Sequence, residues 1–169
     1  MYLMDKMLQL CLCQVKINES KWYEQIKIYK LKKEVKALIS ELMEEDIFSL
    51  SKAFASIMQH ISSETAMSLQ EYSNISISSS KILLYIDDAV VDYHPLSNRF
   101  QITQDNSTYY IYENNRISRL IAKSWNPLVV KIKKLYIQII IKMSNDLNQP
   151  NSTKEAQSEE GKIYTSSDE

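Results

Sequence analysis

Between Trp22 and Met43 the apolar residues Ile28, Leu31, Val35, Leu38 and Leu42 recur at intervals of three, four, three and four. That is the period of a heptad seam on an α-helix, and Lys27, Lys30, Lys32, Lys33, Glu34, Lys36 and Glu41 fill the positions between. A second series, Ile47, Leu50, Phe54, Ile57 and Ile61, has the same spacing in a different phase. The slip falls at Glu44-Glu45-Asp46. Either one helix runs through a stutter there, or it ends and Asp46 caps a new one. No Pro and no Gly occurs in the first 72 residues, so the pattern predicts helix throughout. Unbroken, such a helix spans roughly 105 Å at 1.5 Å per residue. An extended arm of this kind buries its seam only against a partner, and it is the preferred reading.

The texture changes after Tyr72. Residues 73–80, SNISISSS, alternate Ile with Ser, as an edge strand or an extended linker does. Three β-favouring runs follow, 81–93 (KILLYIDDAVVDY), 99–103 (RFQIT) and 108–113 (TYYIYE). The segments between them carry Pro, Asn and Asp, which supply turns without Gly. Connections this short predict a three-stranded antiparallel meander, and helices must cover one of its faces. Asn114-Asn115 opens a further helical stretch with Ile117, Leu120 and Ile121. Asn126-Pro127 then places an N-cap before a helix-starting Pro. The helix after it carries Leu128, Ile132, Leu135, Ile139 and Met143 on one stripe, widened by Tyr136, Ile140 and Leu147, which predicts burial against the sheet.

The expected fold is thus α+β. A coiled-coil arm occupies 1–72, with a candidate break near 44–46; a small head of meander and C-terminal helices occupies 73–147; a disordered acidic tail occupies 148–169.

Composition narrows the chemistry. The 169 residues contain one Gly, Gly161, so no Gly-rich phosphate cradle, dinucleotide fingerprint or nucleophile elbow can be built before it. Net charge is −1, with the acids concentrated late: from Asn145 onward six acids face two lysines. Cys11 and Cys13 form a lone CxC without further zinc ligands, and a disulfide across one residue is strained, so two reduced thiols on an apolar helix are expected. The opening MYLMDKMLQLCLC carries Asp5 and Lys6 and no small-residue cleavage site, so no secretory leader is expected. No apolar run approaches the roughly 20 residues of a membrane span. Cytoplasmic or nuclear placement follows.

Tyr85-Ile86-Asp87-Asp88 resembles the YxDD hairpin of reverse transcriptases, whose paired carboxylates hold the two divalent cations of nucleotidyl transfer. No earlier metal-binding Asp and no nucleotide site accompanies it, and the four residues are read as a strand reaching solvent at two acids. Asp87, Asp88 and Asp92 lack the Gly-bearing loop of an EF-hand, so no metal is expected. His60 and His94 are the available imidazoles, and neither stands where a poised base is wanted. No enzyme activity and no cofactor are expected.

The favoured function is a non-enzymatic scaffold or adaptor subunit, its seam of Ile28, Leu31, Val35, Leu38, Leu42, Ile47, Leu50, Phe54, Ile57 and Ile61 paired with another coiled-coil protein or with itself. The layout resembles the coiled-coil-plus-small-sheet subunits of kinetochore and related chromosome or spindle complexes, a likeness of architecture. Two alternatives stand beside it. One is a nucleic-acid-associated protein using the basic face of Lys27, Lys30, Lys32, Lys33 and Lys36, near Trp22, Tyr23 and Tyr29. The other is a self-contained helical bundle of a host-interaction or viral type. Ser166 and Ser167, followed by acids, are candidate phosphosites.

Overall fold

Where the helices end is set by caps. A computed structural model describes residues 2–72, 74–78, 81–113, 116 and 126–148 of the chain. Helix α1 (Tyr2–Glu19) stops where the Ser20 N–H turns back to the Ile17 carbonyl. A single 3-10 turn (Trp22–Glu24) follows, and Glu24 Oε1 accepts the Lys21 N–H at 3.0 Å. That hydrogen bond holds the Glu24 carboxyl below its ordinary range, with Lys27 adding to it. Helix α2 (Gln25–Met43) ends at the acidic slip, and Asp46 caps α3 (Ile47–His60) by accepting the Ser49 N–H at 3.1 Å. Ser62 does the same for α4 (Ser63–Tyr72), accepting the Thr65 N–H at 3.1 Å.

These breaks fold the front of the chain back on itself, and the expected free arm is corrected. Helix α1 runs antiparallel to α2, with Lys6 paired to Glu41 at 3.0 Å and Gln9 donating to Glu34 at 3.0 Å. The other flank of α1 packs along α5 (Pro127–Asn148), which Asn126 caps through its side-chain oxygen and the Leu128 N–H. Val35, Leu38, Leu42, Ile47, Leu50, Phe54 and Ile57 are buried in one continuous core together with α1 and α5. Leu31 and Ile61 pack at its margin, and Ile28 is half-buried. Each such burial contributes about 1.5–3 kcal/mol, obtained within the molecule.

The expected three-stranded meander under C-terminal helices is also corrected. The sheet has five antiparallel strands in sequence order: β1 (Ile75–Ile77), β2 (Ile82–Ile86), β3 (Ala89–His94), β4 (Arg99–Gln104) and β5 (Ser107–Tyr112). The run 81–93 is two strands because Asp87 takes a left-handed φ of 53°, closing a two-residue turn with Asp88 between the paired Ile86 and Ala89. Asp105 and Asn106 do the same between β4 and β5, both at positive φ, as a type I′ turn requires. Asp and Asn are the residues that tolerate this region best after Gly, so a chain almost without Gly still makes tight hairpins. The Ile-Ser alternation supplies β1, whose Ile75 lies opposite Leu84.

One face of the sheet, including Leu84, Val91, Tyr93, Phe100, Ile102 and Ile111, is sealed. An N-terminal helix shares in covering it: Phe48 of α3 meets Phe100 edge-on, with ring centroids 5.3 Å apart. Phe54 of α3 stacks on Tyr136 of α5 at 4.2 Å, and the Tyr136 hydroxyl shares a buried 2.9 Å hydrogen bond with Ser51. Helices from both ends of the chain thus close the same core. The expected helical stretch at Ile117, Leu120 and Ile121, and the expected tail beyond Asn148, lie outside the described residues.

Candidate functional site

The inner stripe of α2 faces α1 and the core, and its opposite side carries a second apolar series. Trp22, Ile26, Tyr29 and Lys33 follow one another at helical spacing and fall on the face turned away from Leu31, Val35 and Leu38. They are strongly exposed: Trp22 80%, Ile26 76%, Tyr29 62%, with Tyr23 beside them at 65%. Trp22 and Tyr23 meet edge to face, 6.1 Å between centroids. The Lys21 ammonium lies 5.8 Å from the Tyr23 ring centre and that of Lys33 lies 5.2 Å from Tyr29. These distances suit cation–π attraction and hold lysines around the aromatic cluster.

Charge is sorted across the same helix. Residues 21–36 contain six lysines and two glutamates. Glu34 accepts from Gln9, and Glu24 is taken up by the Lys21 backbone and by Lys27 at 3.6 Å. Further along, Glu41 is turned to Lys6 on α1. Among the described residues, Lys30, Lys32, Lys33 and Lys36 form no ion pair, and all four are exposed with Lys27. The acids of α2 are spent on the chain's own contacts, and the lysines are left to solvent. Lys131 and Lys133 of α5 do not join them. Lys131 pairs with Asp87 at the hairpin tip, and Lys133 is buried with its ammonium donating to the Met43 carbonyl at 2.9 Å. Burial pushes the Lys133 ammonium below its ordinary range, while Asp46 and Glu45 pull the other way.

Tyr85 stands on the open face of the sheet, and Asp87 and Asp88 form the tip of the β2–β3 hairpin. Asp87 is paired with Lys131, and Asp88 accepts from Gln104 at 3.0 Å. Asp92 lies further along β3, with its Oδ1 3.3 Å from His94 Nε2 and its Oδ2 4.0 Å from Lys81. The Asp92–His94 contact lacks hydrogen-bond geometry, and Arg99 Nε beside it is likewise unpartnered. The imidazole and guanidinium sit on a sheet face among Gln101, Tyr110 and Tyr112, as the strand register dictates. Among the described residues no group of three or more His, Cys, Asp or Glu is placed to hold a metal ion. His60 Nδ1 is 2.7 Å from the Ser56 carbonyl of its own helix. Cys11 and Cys13 are buried, which pushes both thiols up to about 11. No described helix is long and apolar enough to cross a membrane. Ser166 and Ser167 lie outside the described residues.

Ile26 is the member of the α2 face that the sequence reading passes over. Its signal is the interval from Trp22 to Ile26 to Tyr29, which repeats the helical period half a turn out of phase with the seam. No family model, no curated protein and no solved structure matches this chain.

Proposed function

We propose that this is a non-enzymatic interaction protein that docks, through the outer face of α2, onto an acidic surface of a partner protein. One observation carries the reading: Trp22, Tyr23, Ile26 and Tyr29 form a contiguous exposed cluster on a helix whose apolar inner stripe is already occupied. Single exposed apolar residues are ordinary, but a Trp, an Ile and two Tyr gathered on one turn-and-helix element are the composition of an interface anchor. The unpaired lysines around them supply the sign of the partner. The heptad positions then act as the frame that holds this face rigid.

The test is affinity capture with the wild-type chain and with a Trp22→Ala/Ile26→Ser/Tyr29→Ala variant of unchanged circular dichroism. A protein retained by the wild type, released by added salt and lost with the variant supports the reading. A protein retained equally by both overturns it.

The lysines interleaved with aromatics also suit a nucleic-acid backbone. Binding to heterogeneous DNA or RNA with a steep logarithmic salt slope, abolished by Lys30→Glu/Lys33→Glu, replaces the protein partner with that reading.

A further inference from the structure

The end of α5 lies against the last turn of α1, which leads into the α2 face. Asn18, in the last turn of α1, donates from its side-chain nitrogen to Ser144 Oγ at 3.3 Å and to Asn145 Oδ1 at 3.4 Å. Trp22 follows Asn18 by four residues, a separation of at most about 14 Å along the chain. The last turn of α5 and the start of the α2 face therefore lie at the same end of the helical layer. Within 149–169 there are five acids, Glu155, Glu159, Glu160, Asp168 and Glu169, against Lys154 and Lys162. The same segment contains one apolar pair, Ile163-Tyr164. Its net charge of −3 by these residues opposes the +4 of residues 21–36 (six lysines less two glutamates).

We propose that the acidic segment 149–169 of the same molecule lies along the outer face of α2, its carboxylates against Lys30, Lys33 and Lys36 and its apolar pair against the aromatic cluster. A partner must displace it. This rests on the reading of that face as a docking surface for acidic chemistry, and adds that the chain carries its own competitor for it.

Reach and concentration favour this occupant. From Trp22 to Lys36 the helix advances about 21 Å at 1.5 Å per residue. Twenty-one residues span at most about 70 Å when extended, so the far lysines are within reach. A tether this short holds its acids near the lysines at an effective concentration on the order of millimolar, without any external ligand. Phosphate added at Ser166 or Ser167 raises the negative charge of the segment and tightens the contact.

The test places a nitroxide on the full-length chain through Ser158→Cys. Cys11 and Cys13 are 2% and 4% exposed, with thiols held up to about 11, so the introduced thiol is the one that reacts. In the 15N spectrum at low salt, amide signals from Trp22 to Lys36 should lose half or more of their intensity. They should recover at about 1 M salt, where the screening length is about 3 Å, and in the Glu155→Lys/Glu159→Lys/Glu160→Lys background. Unbroadened α2 signals overturn the proposal, and so does broadening that survives both salt and charge reversal. Mixing labelled, unenriched protein with enriched, unlabelled protein should leave the α2 signals sharp; loss of intensity in that mixture means docking between molecules and also overturns it. Capture of an external partner is read separately, so the docking face and its intramolecular occupant stand or fall on different measurements.

Discussion

Helices α2 and α3 carry the same three-four spacing of apolar residues and have different fates. In α3, Ile47, Leu50, Phe54 and Ile57 are sealed, and so are Phe48, Ser51, Ala53, Ala55 and Met58 off the seam. In α2, burial fades from Leu42 and Leu38 back to the half-buried Leu31 and Ile28, and the off-seam positions hold lysines and the exposed aromatic cluster. A helix apolar or small on most sides belongs inside a core; one with two unlike faces belongs at its edge. The off-seam residues, more than the seam, distinguish a helix that only supports the fold from one that presents a surface.

The sharpest way to break that contrast is to remove one aromatic from each helix. Phe54 is fully buried and stacked on Tyr136. Phe54→Ala should cost about 3–5 kcal/mol in urea unfolding, through lost burial and the cavity left behind. That is a large share of the 5–15 kcal/mol typical of a domain. A loss below about 1 kcal/mol would mean that α3 is not the centre of the core.

Next in size is the buried polar contact that ties α3 to α5. Tyr136→Phe keeps the ring stack but strands the Ser51 hydroxyl, whose partner lies 2.9 Å away. An unsatisfied buried hydroxyl should cost about 1–3 kcal/mol, and Ser51→Ala in the same chain should restore part of it. If the double variant is no more stable than Tyr136→Phe, the hydroxyl has found another partner.

Alkaline pH tests α1, the helix between α2 and α5. Burial raises the Cys11 thiol from 9.0 to about 11. An unfolded chain ionises this thiol first, so the folded state is undisturbed below about pH 8 and loses stability as pH rises from 9 to 11. Cys11→Ala should make that decline shallower, by less than about 1 kcal/mol near pH 9.5. Parallel pH profiles of the urea midpoint for the two chains would place Cys11 in solvent. Burial of Tyr93 and Tyr136 raises their hydroxyls and adds to the alkaline decline of both chains alike.

Much of the local structure was written in short signals. The phase slip at Glu44-Glu45-Asp46 marks a cap with a defined hydrogen bond, and Asn126-Pro127 marks the start of α5. The hairpin between β2 and β3 was hidden because Asp87 and Asp88 interrupt a β-favouring run without Gly or Pro, and only a left-handed φ at Asp87 splits it. Whether a seam is covered by its own chain is a different kind of question. Spacing is local, whereas the cover comes from α1 and α5, as remote in sequence as Asn18 and Asn145. For the candidate site, the lysines and the nearby Trp and Tyr were legible as a group. Their common face was not, because Ile26, which joins Trp22 to Tyr29 along the helix, lies outside the heptad seam and was passed over.

The smallest expected effect on stability is the one that separates the two helices most clearly. Tyr29 is well exposed on α2, and the Lys33 ammonium lies 5.2 Å from its ring centre. An exposed cation–π pair contributes about 0.5–1 kcal/mol at most, and surface substitutions usually stay within about 0.5 kcal/mol. Tyr29→Ala should therefore leave the urea midpoint nearly unchanged while weakening partner capture by tenfold or more, the equivalent of about 1.4 kcal/mol in binding. If Tyr29→Ala instead destabilises the fold as Phe54→Ala does, the outer face of α2 is part of the core in solution. It then has no surface to offer a partner, because an aromatic residue already needed for folding cannot also be free to anchor one.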